Sequence, residues 1–408
     1  MRVQVGILLL FAIVLCTGCS RGGSTQELVA LEHVFAGGEV VLGSPVLTAG
    51  IFGEGPLTVE EIRRWLSNPH VHETLDFTLP IGLKDAVELI YIPPENPLTL
   101  AKIELGRQLF FDQRLSGRAT FACATCHIPE QDYSAFMVMP DVERNPPVSF
   151  NRLFSSRQFW DGHAESLEHQ PTSPIKNPFE MDTTPEACVA TLKGIEGYRI
   201  QFEAIFGKLD FSSISFALAT FQRVLVTGNS PWDYHRLLAE FESQDPEALS
   251  QEEQQMFSLV RQQAAANPMS AAAIRGEALF FGDRTQCSWR HVGPNLTDEL
   301  FHNVGVGVAT GIPDAGRYRV THRDEDRGAF KTPTLRNIAQ TPPYMHNGEL
   351  ETLEAVVDWF CQGGFAHEHL DEAIWPLDLT LIEKRDLVEF LKALTGPLPL
   401  VEQKRLPE

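Results

Sequence analysis

Five consecutive residues constrain this chain more than any others: Cys123-Ala-Thr-Cys126-His127. Two thiols at that spacing can each add to a vinyl group of a porphyrin while the adjacent imidazole reaches the iron from one side, which is how haem c is held. A bare pair of thiols in an oxidising compartment would invite a disulfide or a zinc site, so the histidine that follows them decides the matter. A chain of this composition shows the five-residue pattern by accident about 0.004 times, which leaves coincidence a poor rival.

The chain uses one device twice. Gly106-Arg-Gln-Leu-Phe-Phe111 precedes the first cluster, and Gly276-Glu-Ala-Leu-Phe-Phe281 precedes Cys287-Ser-Trp-Arg290-His291. In the second copy Arg290 stands where the second thiol would be, so at most one thioether can form, through Cys287, with a cation near the porphyrin edge. A lone Cys-x-x-x-His arises by accident about 0.2 times in such a chain; the repeat raises its standing.

Residues Val5 to Leu15 form an uncharged run preceded by Arg2 and followed by Thr17-Gly18-Cys19, the three parts of a cleavable signal peptide. The run is too short to span a bilayer comfortably. Leu15-Cys-Thr-Gly-Cys19 resembles a bacterial lipoprotein signal with its leucine one place early, so either Cys19 is lipidated or the chain is simply cleaved into the periplasm. Cys188 and Cys361 complete an odd set of five cysteines beyond the signal, a poor disulfide framework. Asp plus Glu number 54 against 33 Lys plus Arg, and the resulting charge of −21 excludes nucleic acid as a natural partner and suits a cationic protein.

Apolar residues recur at helical spacing over Leu100 to Phe111, Glu186 to Phe206, Ser213 to Leu225, Gln251 to Ala265, Ala271 to Phe281, Leu353 to Trp359 and Leu381 to Leu394, with a shorter helix expected from Thr58 to Leu66. Strand signals are sparse, so the expected class is mainly α. Loops from Ile128 to Asn151 and from Asn303 to Gln340 are longer than a compact domain tolerates without a reason, and a bound cofactor supplies one. The pairs His70-x-His72 and His367-x-His369 read as exposed loop histidines rather than metal ligands.

Several separate phrases carry a resemblance. Leu105-Gly-Arg-Gln-Leu-Phe-Phe, Gln158-Phe-Trp-Asp-Gly162, Ser166-Leu-Glu-His-Gln170, Asn177-Pro-Phe-Glu-Met181, Gly293-Pro-Asn-Leu-Thr-Asp298, Phe301-His-Asn303, Phe330-Lys-Thr-Pro-Thr-Leu-Arg-Asn337 and Pro343-Tyr-Met-His-Asn-Gly348 are similar to the bacterial di-haem cytochrome c peroxidase family. That family includes MauG-type enzymes, which oxidise a protein tryptophan. The similarity runs from about Pro97 to Pro397. It implies two cytochrome c-like helical domains whose haems face each other across the interface, plus an N-terminal extension. The expected division is a signal peptide at 1–19, the extension at 20–97, a peroxidatic domain at 98–245, a linker or insertion at 246–270 and a second cytochrome c domain at 271–408.

The resemblance further implies that peroxide chemistry belongs to the first haem, with His127 proximal, Gln170, Pro174 and Glu180 on the distal side, and Trp160 between the haems. Cys287 and His291 would hold the second haem, and an interdomain calcium would map onto Asn145, Thr341 and Pro343. Heterolysis of a peroxide needs a group that takes a proton from one oxygen and delivers it to the other, a task suited to a desolvated carboxylate such as Glu180. Asn177-Pro178-Phe179-Glu180 also reads as a helix start with a capping box, which is compatible with that role. Trp160 reads equally as a core residue by default, and Met345 and His346 as a turn packed beside the second haem rather than as ligands.

Two departures from the family matter. No histidine occurs from Ile128 to Gly162, where many members carry a distal ligand, so the first iron is expected to be five-coordinate or water-bound in every redox state. At the distal position of the second haem, Phe360 stands where the family has Met or Tyr; neighbouring Cys361 is either a substitute ligand or a buried free thiol. The expected activity is reduction of hydrogen peroxide with electrons from a small periplasmic donor such as a cytochrome c. MauG-like oxidation of a partner protein and a non-catalytic redox or peroxide-sensing haem lipoprotein are the alternatives. A homodimer is left open.

Overall fold

The computed structural model describes residues 38–135, 144–307 and 314–408. The expected signal peptide and Cys19 lie outside the described residues. Among these the fold is mainly helical, with two short strand pairs, Val40–Val41 beside Phe77–Thr78 and Phe301–His302 beside Phe330–Lys331. No single described helix is long and apolar enough to cross a membrane.

Two helix pairs carry the architecture, and each contains one copy of the repeated phrase. Leu100–Phe111 crosses Phe211–Val224, and Ala271–Phe280 crosses Leu381–Lys392. Each crossing is close because a glycine lies at it. A Cβ on Gly106 would overlap the carbonyl oxygen of Ala217, and one on Gly276 would overlap that of Asp386. The aromatic pair ending each phrase then fills the space beside the cluster that follows. Phe110 lies with its ring 6.4 Å from His127, and Phe280 lies 6.3 Å from His291. The first core gathers Leu105, Leu109, Phe110, Leu218 and Phe221, and the second gathers Phe280, Val357, Leu387 and Phe390.

The N-terminal segment packs on the first core through Val40, Leu42, Leu47, Val71 and Leu83. Its Val59–Leu66 helix begins with a capping box between Thr58 and Glu61. The C-terminal tail returns to the same region. Arg405 donates to the carbonyls of Ile51 at 2.7 Å and Gly55 at 3.0 Å and to Glu61 at 2.8 Å, while buried Arg107 donates to the Arg405 carbonyl at 2.8 Å. The tail thereby ties the N-terminal segment to the helix that precedes the first cluster.

Three local expectations differ from the structure. The helix expected over Glu186 to Phe206 is two, Pro185–Lys193 and Glu196–Phe206, because Ile195 adopts an extended conformation after Gly194. Asn177 to Glu180 form a turn rather than a helix start: Asn177 accepts from the Phe179 amide and donates to Glu180, and the next helix waits for the Thr184 cap. A further helix, not expected from apolar periodicity, spans Pro231–Glu242, capped by Ser230 and Asp233. Within 246–270, Gln251–Ala266 is helical and packs on Pro231–Glu242 with Phe257 stacked on Phe241 at 5.3 Å.

Candidate active site: two cavities and a shared wall

The single helical turn Cys123–Cys126 puts both thiols on one side, facing a cavity of about 580 Å³. The same cavity is lined by His127, Gln170, Pro174, Glu180 and Trp160, so the structure brings together the residues expected at the first site. His127 donates Nδ1–H to the carbonyl of Tyr133 at 3.2 Å. Burial pushes its imidazole down to about 4, which keeps it neutral and leaves Nε2 as the ligating atom. Burial pushes the Cys123 thiol up to about 12 and that of Cys126 to about 11, and neither is in a disulfide. Two free thiols and a neutral imidazole on one wall of a roomy cavity fit haem c.

Glu180 enters this cavity from the turn after the short Thr172–Lys176 helix. Burial raises its affinity for a proton, opposed by a 2.7 Å hydrogen bond from Asn177 Nδ2 and by the nearby His163. His163 also lines this cavity, a residue not among those expected there and one place beyond the histidine-free interval Ile128 to Gly162. Both of its ring nitrogens are engaged, Nδ1 with Asp161 at 2.6 Å and Nε2 with Ser173 at 2.9 Å.

The second cavity, about 250 Å³, is lined by Cys287, Arg290, His291, Phe360 and Cys361. His291 repeats the arrangement of His127: Nδ1 donates to the Leu296 carbonyl at 3.0 Å, and burial pushes the ring down to about 4. One thiol and one neutral imidazole fit a haem anchored by a single thioether. Arg290 is bound by Asp371, which takes His302 Nδ1 at 2.5 Å on its other oxygen; His302 Nε2 meets Asp298 at 2.9 Å. The cation that replaces a thiol is thus matched by a carboxylate. Cys361 is buried and its thiol is pushed up by burial. Met345 and His346 also line this cavity, His346 stacked on Phe330 with centroids 3.6 Å apart.

Asn145, Phe159 and Trp160 line both cavities and form the wall between them. Trp160 Nε1 donates to the Asn145 carbonyl at 2.7 Å. Asn145 Nδ2 donates to the Pro343 carbonyl at 2.7 Å, while its Oδ1 is buried without a partner among the described residues. Thr341 lies two residues from Pro343 on the same lining. The Pro343 carbonyl already takes the Asn145 amide proton, so of this trio the orphaned Oδ1 is the oxygen with free capacity for a hard cation. The paired histidines elsewhere are not all exposed loop residues: His70, His367 and His369 are half-buried, and in the Pro69–His72 turn His70 meets Glu73 at 3.1 Å while His72 meets the Leu66 carbonyl at 3.0 Å. His367 meets Asn303 Nδ2 at 3.0 Å.

A family model described as di-haem cytochrome c peroxidase matches residues 100–240. The methylamine utilization protein MauG of Methylorubrum extorquens is 35% identical over 325 residues, covering 77% of this chain and 84% of that protein. The cytochrome c551 peroxidase of Nitrosomonas europaea is 32% identical over 326 residues, covering 78% and 85%. Among solved structures, a MauG-like protein associated with microbial copper homeostasis superimposes with a TM-score of 0.64 at 28% identity, covering 75% of this chain and 93% of that one.

Proposed function

The chain belongs to the di-haem cytochrome c peroxidase family, and from that premise we propose that it is an exported c-type peroxidase that reduces hydrogen peroxide to water with electrons from a small periplasmic donor such as a cytochrome c. The observation that carries this reading is the gathering of His127, Gln170 and Glu180 around one cavity whose wall, at Trp160, also borders the cavity of His291. Haem at the first cavity would supply the iron at which the oxygen–oxygen bond breaks. Glu180, desolvated and held by Asn177, takes the proton from one peroxide oxygen and returns it to the other. Gln170 orients the peroxide by hydrogen bonding, and Pro174 excludes water beside it.

Trp160 is the relay between the two centres, Cys287 and His291 hold the second haem, and Asn145, Thr341 and Pro343 hold calcium in the wall. The charge of −21 steers a basic donor. Cys19 is the site of a lipid anchor at the membrane face. A second reading, oxidation of a partner protein in the manner of MauG, is favoured by the lack of any histidine from Ile128 to Gly162, whereas Phe360 counts against it.

The test is the haem-to-protein ratio and electron paramagnetic spectrum of the purified chain, with peroxide-dependent oxidation of reduced cytochrome c. Two haems and steady oxidation are the expected result. A colourless polypeptide, after expression with working cytochrome maturation machinery, overturns it. Peroxide-driven modification of a partner's tryptophan without cytochrome oxidation replaces it with the second reading.

A further inference from the structure

The first cavity contains a titratable side chain, His163, that has no part in the proposed function. Asp161, His163 and Ser173 line it together with Glu180. The His163 ring is clamped by Phe159, stacked with centroids 4.2 Å and planes 10° apart. Asp161 is fixed in turn by Arg144, whose Nη1 donates at 2.7 Å while its Nε binds Asp314 at 2.6 Å.

The tautomer follows from the charges. Burial works against ionisation of Asp161, but the hydrogen bond from His163 and the Arg144 guanidinium hold its carboxyl well below the usual carboxylate range. An ionised carboxylate only accepts, so His163 Nδ1 carries a proton, and in the neutral ring Nε2 is the atom that accepts from the Ser173 hydroxyl. A hydroxyl on a base that is oriented by a carboxylate is an arrangement built to pass protons.

We propose that Asp161, His163 and Ser173 form a proton relay serving the first cavity alongside Glu180, with His163 a positioning residue that acts through the Ser173 hydroxyl. As a weak acid in the cavity, hydrogen peroxide or hydrogen cyanide, gives its proton to Ser173 Oγ, the Ser173 proton passes to His163 Nε2, and Asp161 stabilises the imidazolium. Reversal returns the proton to a leaving oxygen; no electron moves through the relay. Reduction of hydrogen peroxide to two waters takes up two protons and two electrons. The donor supplies the electrons and solvent the protons.

This inference rests on peroxide chemistry in the first cavity, and the experiment separates the two. Cyanide binding to the ferric holo-protein, followed by stopped-flow spectroscopy, needs a proton removed from hydrogen cyanide but no turnover. His163→Gln and Ser173→Ala are each expected to slow cyanide and peroxide association about 10-fold or more and to alter the solvent isotope effect. Added imidazole is expected to restore the rate in His163→Ala. If His163→Gln fails to load haem, Ser173→Ala carries the test. Wild-type rates and isotope effects in variants with an unchanged haem spectrum overturn the relay and leave the peroxidase reading standing. Slowed cyanide binding in the variants, in a protein that oxidises no cytochrome with peroxide, supports the relay and overturns the peroxidase reading.

Discussion

Trp160 donates its indole N–H to the backbone carbonyl of Asn145 at 2.7 Å, and both residues border the two cavities at once. A side chain that any aromatic could replace for packing is therefore fixed in orientation by one polar bond. Trp160→Phe keeps the ring and loses the bond, leaving a carbonyl in the wall unpaired at a cost of about 1–3 kcal/mol. We expect a small loss of thermal stability and an unchanged first-haem spectrum. Electron transfer between the centres, followed by stopped-flow absorbance after peroxide addition, should slow about 10-fold or more. Transfer at the wild-type rate would remove Trp160 from the route.

Glu180 gives a signed pH dependence. Burial raises its carboxyl affinity for protons above the ordinary range, so its base form accumulates only at a pH higher than that of a free glutamate. The peroxide step should speed up as pH rises through that midpoint. Glu180→Gln should lower the rate about 10²–10⁴-fold and abolish this limb of the profile while haem content is kept. The check is the pH profile of the peroxide reaction in both proteins.

The first cavity was legible because its attachment residues are contiguous and its distal residues lie in recognisable phrases. What escaped the sequence depends on approach between distant positions. Ser173 reaches His163 only because the chain turns back between them, and Arg290 meets a carboxylate 81 residues away. The tie between Arg405 and Glu61 spans 344 positions and has no local signal. The Pro231–Glu242 helix did carry one, Ser230-Pro-Trp-Asp233, a capping box with proline at the first turn. Its weak apolar periodicity hid it, since Trp232 and Tyr234 are buried within one turn of each other.

The repeated glycines predict matched stability losses. At Gly106 and Gly276 an added methyl group would overlap a backbone carbonyl of the crossing helix, which cannot swing away as a flexible side chain could. Alanine improves helix propensity by about 1 kcal/mol, whereas forcing the helices apart costs about 1–3 kcal/mol and disturbs the aromatic pair that follows. Gly106→Ala and Gly276→Ala should both lower the Tm. The first should also lower the fraction of chains that acquire haem at Cys123 and Cys126, and the second at Cys287. Calorimetry and haem quantification on the two variants check this, and a raised Tm in either would show that its helices part without cost.

Arg290 separates the second site from the first, and reversing it is the most direct test of what the second cavity holds. Arg290→Cys completes a Cys-x-x-Cys-His sequence at Cys287 to His291 and removes a guanidinium from Asp371. Breaking a fully buried ion pair ordinarily costs about 3–5 kcal/mol, and this one is only partly buried. Here Asp371 keeps His302 at 2.5 Å, and two carboxylates already raise that imidazole's proton affinity against the opposing effect of burial, so the loss should fall below that range. With a second thiol beside the porphyrin, a second thioether should form, seen as a shorter-wavelength α-band in the pyridine haemochrome. Removing a positive charge from the haem edge favours the oxidised iron, so the reduction potential of this haem should drop in a spectroelectrochemical titration. A wild-type α-band and potential in Arg290→Cys would mean that position 290 does not face a haem at all.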